Sequence, residues 1–219
     1  LGCGGGLGYM PAGPAHAPTE DIAYMRSLID IEIYTPHNID MTKKLVTKSY
    51  EKQSLKYIRL ERNYDIRLDN YTNFDFDGGI SLIKPGLFNN PIVKDRPKIA
   101  LVATGYVLGR CLDVWERLLN NNYEVCLYNL YRPKPNPINE KTFDDFTHIV
   151  SVEEQTLSGG VGSVILEGLS DANQSKKVLR LGLPERYILE NGNRDYHLDN
   201  NGLSIDSICD RIEEFVNDK

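Results

Sequence analysis

The stretch Ile99-Ala100-Leu101-Val102-Ala103-Thr104-Gly105 decides the fold. An unbroken apolar run of this length reads as a strand buried on both faces, the pattern of a parallel sheet covered by helices. Gly105 breaks it, and residues 108–119 carry the spacing of an amphipathic helix. The alternation continues downstream. A strand is expected at 123–129, a proline-rich turn at 132–137, a short helix at 139–146 and a strand at 148–152. Gly159-Gly160-Val161-Gly162 then opens a helix to Leu169, before a strand at 178–181 and a last helix at 205–216. Strands separated by helices imply crossover connections and a mostly parallel sheet, hence an α/β fold.

Upstream, residues 64–96 mix Asn, Asp, Gly, Pro and aromatics without helical periodicity. They read as an ordered connector, with a short strand at 80–83 and Leu87, Phe88 and Ile92 to bury. Before it, Tyr57-Ile58-Arg59-Leu60 and residues 30–35 (DIEIYT) read as strands. The helix between them is capped by Asn38 or Asp40. A further helix spans about 20–28, with Thr19 as N-cap and Glu20 and Asp21 favoured by the helix dipole. The chain opens on Gly2-Cys3-Gly4-Gly5-Gly6-Leu7-Gly8, leading to Gly13-Pro14-Ala15-His16. Glycine-dense backbone close to a histidine suits either a loop that wraps a ligand or a plain surface loop. The absence of Met at residue 1, directly before a loop, raises the expectation of an upstream portion.

Composition narrows the function. The chain has 219 residues, 41% hydrophobic and 26% charged, with a net charge of −6. An acidic chain without clustered Lys and Arg argues against a nucleic-acid partner. No apolar run reaches the roughly 18 residues of a membrane span, and no secretory signal is visible. Cys3, Cys111, Cys126 and Cys209 lack C-x-x-C spacing and read as reduced cysteines of a cytoplasmic protein. No metal-ligand spacing is present: His37, His148 and His197 read as surface or structural residues. Gly159-Gly160-Val161-Gly162 is not G-x-G-x-x-G, and the acidic Glu153-Glu154 before it would repel a pyrophosphate. Tight packing of a helix start on the sheet explains these glycines better.

Three separated segments resemble the transketolase-like thiamine diphosphate enzymes. Gly13-Pro14-Ala15-His16-Ala17-Pro18-Thr19-Glu20-Asp21-Ile22-Ala23, with Met25-Arg26, is similar to the G-P-T-H-x-x-x-E-D-I-A-x-M-R segment, and Thr35-Pro36-His37-Asn38 follows as that family's next strand end. Val152 to Ser163 is similar to V-E-E-x-x-x-x-G-G-x-G-S of the family's C-terminal domain. Leu181-Gly182-Leu183-Pro184-Glu185-Arg186-Tyr187 looks like L-G-I-P-D-R-F of the deoxyxylulose-phosphate synthases. The resemblance implies two three-layer α/β/α units, the second with a mostly parallel sheet of the transketolase C-terminal type. Residues 1–63 would end a pyrimidine-binding domain, 64–96 would connect, and 97–219 would form the C-terminal domain.

It also implies ketol transfer between sugars through thiamine diphosphate with Mg. The family's activating glutamate lies before residue 1 and its diphosphate segment lies elsewhere, so the cofactor would be held mainly by other parts or a partner. This chain alone would be inactive. The implied partners are a second copy in a homodimer, a subunit carrying the N-terminal transketolase section, or both. His16 aligns with the histidine that contacts sugar hydroxyls and can move a proton, and Arg62 with an arginine that binds the sugar phosphate, Arg59 being its alternative. Ala12 and Ala15 stand where the family usually has Asp and Thr, and glycine occupies positions 4 and 5 where it has a polar residue. A phosphorylated pentose donor is thereby in question. Three alternatives stay open: a deoxyxylulose-phosphate synthase, a 2-oxo acid dehydrogenase beta chain, and a non-catalytic assembly module.

Overall fold

The computed structural model describes residues 1–62, 76–87 and 96–218, so most of the expected connector lies outside the described residues. Two sheets organise the chain. The first has three parallel strands in the order β1 (Gly2–Cys3), β3 (Leu55–Leu60), β2 (Ile31–Tyr34). α1 (Asp21–Ser27) precedes β2, and α2 (Ile39–Glu51) joins β2 to β3. Asn38 caps α2 by accepting the Met41 N–H at 2.8 Å.

The second sheet has the order β4 (Ile80–Lys84), β6 (Glu124–Leu130), β5 (Lys98–Ala103), β7 (His148–Thr156), β8 (Lys177–Leu183). Only β4 runs antiparallel, pairing Ile80 with Leu130. This is the mostly parallel α/β architecture expected, with the short strand of the connector on one edge. α3 (Val107–Asn120), α4 (Val161–Asp171), α5 (Arg194–Leu198) and α6 (Ile205–Asn217) complete it.

The stretch at 99–103 behaves as its composition requires. Ile99, Leu101 and Ala103 face one core with α3 and α6, while Ala100 and Val102 face a second core with α4, Phe143 and Phe146. All five are fully buried, as period-two side chains of a doubly covered strand must be. Among the described residues no helix is long and apolar enough to cross a membrane.

Local expectations differ at four places. Thr19 does not cap α1: Glu20 holds the N-cap position without a side-chain cap bond, and the Thr19 carbonyl instead accepts the Thr156 N–H. Residues 139–146 form turns rather than a helix. Asn139 accepts the Lys141 N–H, Thr142 Oγ1 accepts the Asn139 N–H, and Phe143 and Phe146 are drawn inward edge-on to Tyr128. The strand expected to end at 152 continues to Thr156, because Glu153, Glu154 and Gln155 all find buried partners. α5 is absent from the periodicity, being only five residues long. His37, His148 and His197 are buried, so the surface alternative fails for all three.

Candidate functional site

The glycine-rich loop between β1 and α1 is built of consecutive tight turns. The Met10 N–H donates to Leu7 O, Gly13 to Met10 O and His16 to Gly13 O, at 3.2, 2.8 and 3.0 Å. Each turn starts where the last one ends, so backbone placement propagates from residue 7 to residue 16. Gly4 and Gly6 adopt positive φ, +81° and +58°, which side-chain-bearing residues rarely adopt. There is also no space for side chains. A Cβ on Gly4 would stand 2.0 Å from the Tyr9 ring, on Gly5 2.3 Å from the Arg59 guanidinium, and on Gly6 2.7 Å from the Glu154 carboxyl. The glycines thus admit three larger side chains into the loop.

Both ends of the loop are tied to β7 of the second sheet. At the entry, Glu154 Oε1 accepts the Leu7 N–H at 3.0 Å. At the exit, Gln155 Nε2 donates to Pro18 O and to Asp21 Oδ1, and the Thr156 N–H donates to Thr19 O. Beneath the loop lies a buried charge cluster. Arg59 bridges Asp21 and Glu61, each at 2.9 Å, and Tyr57 donates to Asp21 at 2.7 Å. Arg194, from α5, binds both oxygens of Glu154, reaches Glu61 at 2.6 Å and the Gly5 carbonyl at 3.2 Å, and lies 3.8 Å over the Tyr106 ring.

Burial disfavours charge on Arg194 and Glu154, and the pairing reverses this for the guanidinium. Desolvation would lower Arg194, but Glu154 and Glu61 hold it well above its ordinary value. Burial likewise pushes Glu154 up, opposed by the two-pronged contact with Arg194. The Tyr57 hydroxyl is raised, first by burial and then by Asp21.

His16 sits exposed on the loop beside exposed Pro11, Ala12 and Ala15. Its imidazole makes no hydrogen bond to another described residue. Arg62 is exposed just beyond β3, its guanidinium 4.2 Å over the Tyr9 ring of the same loop. The loop therefore carries one of the two candidate residues and flanks the other, with no direct bond joining them. Arg59 cannot substitute for Arg62, being 2% exposed with its guanidinium committed to two carboxylates. Glu154 and Arg194, absent from the sequence-derived candidates, hold the loop that bears His16. Only the V-E-E motif pointed to Glu154, and no local pattern pointed to Arg194.

The glycines at 159–162 do what tight helix–sheet packing requires. A Cβ on Gly162 would lie 2.7 Å from Arg180 Cδ and from Ser151 Oγ. Glu153, not a phosphate, occupies the α4 N-terminus, accepting the Val161 and Gly162 N–H groups at 2.5 and 2.9 Å. Burial pushes this carboxyl up to about 7 despite those two donors.

The donor set also answers whether a diphosphate cofactor fits here. Both carboxylates of the V-E-E motif are turned inward to helix and loop N–H groups and to Arg194, leaving neither to meet an aminopyrimidine. Among the described residues no His, Cys, Asp and Glu side chains gather to hold a metal. These residues do not make a thiamine diphosphate cradle.

Comparison with known proteins agrees with the fold. Residues 90–208 match the profile of the transketolase C-terminal domain family. The chain is 26% identical, over 96% of its length, to one of the subunits of the apulose-4-phosphate transketolase of Actinobacillus succinogenes, covering 65% of that protein. It is 28% identical to a putative transketolase C-terminal section of Methanocaldococcus jannaschii, covering 92% of this chain and 61% of the other. It is also 28% identical to the 1-deoxy-D-xylulose-5-phosphate synthase of Caldanaerobacter subterraneus, covering 91% of this chain and 31% of that enzyme. The chain thus spans from 31% to 65% of the length of these relatives. Among solved structures, a split-gene transketolase described as an inactive beta4 tetramer superposes with a TM-score of 0.81 at 21% identity, over 98% of this chain and 66% of the other. With its fold, its ordered motifs and the family match in agreement, the chain belongs to the transketolase C-terminal domain family.

Proposed function

We propose that this chain is the C-terminal section of a transketolase-like enzyme that moves a two-carbon ketol unit between sugars with thiamine diphosphate. The observation that carries the proposal is the reach of the match to the apulose-4-phosphate transketolase, which covers 96% of the chain and so includes the His16 loop as well as the C-terminal family region. Residues 1–63 would close a pyrimidine-binding domain, and the cofactor with its Mg would be held by another segment or an N-terminal-section partner, in a dimeric assembly. The inward commitment of Glu153 and Glu154 supports that division, and with it inactivity of this chain alone. His16 would face the sugar hydroxyls, its imidazole able to donate and accept. Arg62 would take the anionic end of the sugar, its guanidinium steadied on Tyr9.

The test uses the complete enzyme with thiamine diphosphate, Mg²⁺, a ketose phosphate and an aldose phosphate. His16→Ala should lower kcat/KM by about 100-fold, the lower end of the range for a proton-handling group. Full activity and unchanged substrate affinity in that variant would reject the role. A second reading, deoxyxylulose-phosphate synthesis, is favoured by residues 181–187 and the synthase relatives. It requires carbon dioxide release from pyruvate with glyceraldehyde 3-phosphate, and ketol transfer does not.

A further inference from the structure

We propose that Glu154 and Arg194 are positioning residues that set the placement of His16 from the other sheet. The inference rests on the role given to His16 above and extends it to side chains 138 and 178 positions along the chain from that residue. Three consecutive residues of β7 hold the loop: Glu154 at Leu7, Gln155 at Pro18 and Thr156 at Thr19. The loop's own turns, closing 7 to 10, 10 to 13 and 13 to 16, then carry the position of Leu7 to His16.

Glu154 is the element on which entry to the loop depends. It is 3% exposed and fully engaged, with the Leu7 N–H on Oε1 and Arg194 on both oxygens. Arg194 locks the carboxylate's orientation and also grips the loop directly at the Gly5 carbonyl. Its third partner, Glu61, lies next to Arg62, so one guanidinium spans the loop that bears His16 and the strand end that bears the second candidate. The Glu154 carboxyl fills the space that a side chain at Gly6 would need. A carboxylate and guanidinium that are fixed, buried and paired suit preorganisation, where misplacement of a reacting group by about 1 Å can cost on the order of 100-fold in rate.

A mutant cycle in the complete enzyme separates this from a purely structural role. Arg194→Ala alone would strand the buried Glu154 carboxylate and risk misfolding. The pair variant Glu154→Gln with Arg194→Met removes one charge of each sign, leaves Arg59 with Asp21 and Glu61, and keeps an amide oxygen for the Leu7 N–H. kcat/KM is measured for the wild type, His16→Ala, the pair variant and the triple variant. The pair variant should lose about 10- to 100-fold. In that background His16→Ala should cost less than about 5-fold, because a displaced imidazole has little left to lose. If His16→Ala costs the same factor in both backgrounds, the pair acts independently of His16 and the proposal is overturned. If His16→Ala costs nothing in the wild type, the role of His16 fails first and the proposal falls with it. Should the pair variant not accumulate as folded enzyme, Arg194→Lys, which keeps the charge and loses the two-pronged grip, enters the same cycle with the same two outcomes.

Discussion

Glu153→Gln gives the sharpest check on the electrostatics. Glu153 is fully buried, 0% exposed, and its carboxyl is pushed from an ordinary 4.5 to about 7 by desolvation, against two helix N–H donors and the more distant Arg180 and Arg26. A raised carboxyl binds its proton more tightly in the folded chain than in the unfolded one. Its stabilising contribution is therefore complete below the unfolded value of about 4.5. It drains away as pH rises and is gone once pH passes about 7. The interval corresponds to about 3 kcal/mol at about 1.4 kcal/mol per pH unit. Glutamine keeps the shape and cannot titrate, although its amide can accept only one of the two N–H groups. Urea denaturation of wild type and variant, at half-unit steps from pH 4.5 to 8 and constant ionic strength, gives the difference in unfolding free energy. That difference should shift against the wild type by about 2–3 kcal/mol across the range and level off above pH 7. A difference that is flat, or that moves in favour of the wild type with rising pH, would mean that the α4 N-terminus holds Glu153 ionised throughout, and the burial argument would be refuted.

Two further outcomes concern stability. Gly162→Ala should destabilise the chain by about 1–3 kcal/mol, since its methyl group would meet Arg180 and Ser151 at 2.7 Å in a packed core, and differential scanning calorimetry would register the lower Tm. Asn38→Ala removes the acceptor for the Met41 N–H and should cost about 1 kcal/mol in chemical denaturation, with no change in the fold seen by circular dichroism.

The parts of this protein that its residues announced are those whose cause is local. Residues 99–103 had to be a doubly buried strand, because five apolar side chains alternating across a sheet leave no face for water. The helices at α3 and α6 followed from apolar spacing, and the start of α2 from the Asn38 cap. The composition of the Gly-Pro-Ala-His segment marked it as a loop, and only the resemblance of its motif made it a candidate site. What stayed hidden depends on partners far along the chain. Glu153-Glu154-Gln155 read as a loop, since three polar residues in a row rarely enter a buried strand, and only the α4 N-terminus, Arg194 and Asp21 make that burial tolerable. Arg194 meets Glu154 from 40 residues away and the Gly5 carbonyl from 189, separations that no periodicity records. The sequence favoured Arg62 over Arg59 through the resemblance alone, with no local signal to show how differently the two are placed. In the fold Arg59, inside β3, is buried between Asp21 and Glu61, whereas Arg62, beyond the end of the strand, is exposed, because burial of a guanidinium needs carboxylate partners, and one of them, Asp21, is brought by a distant segment.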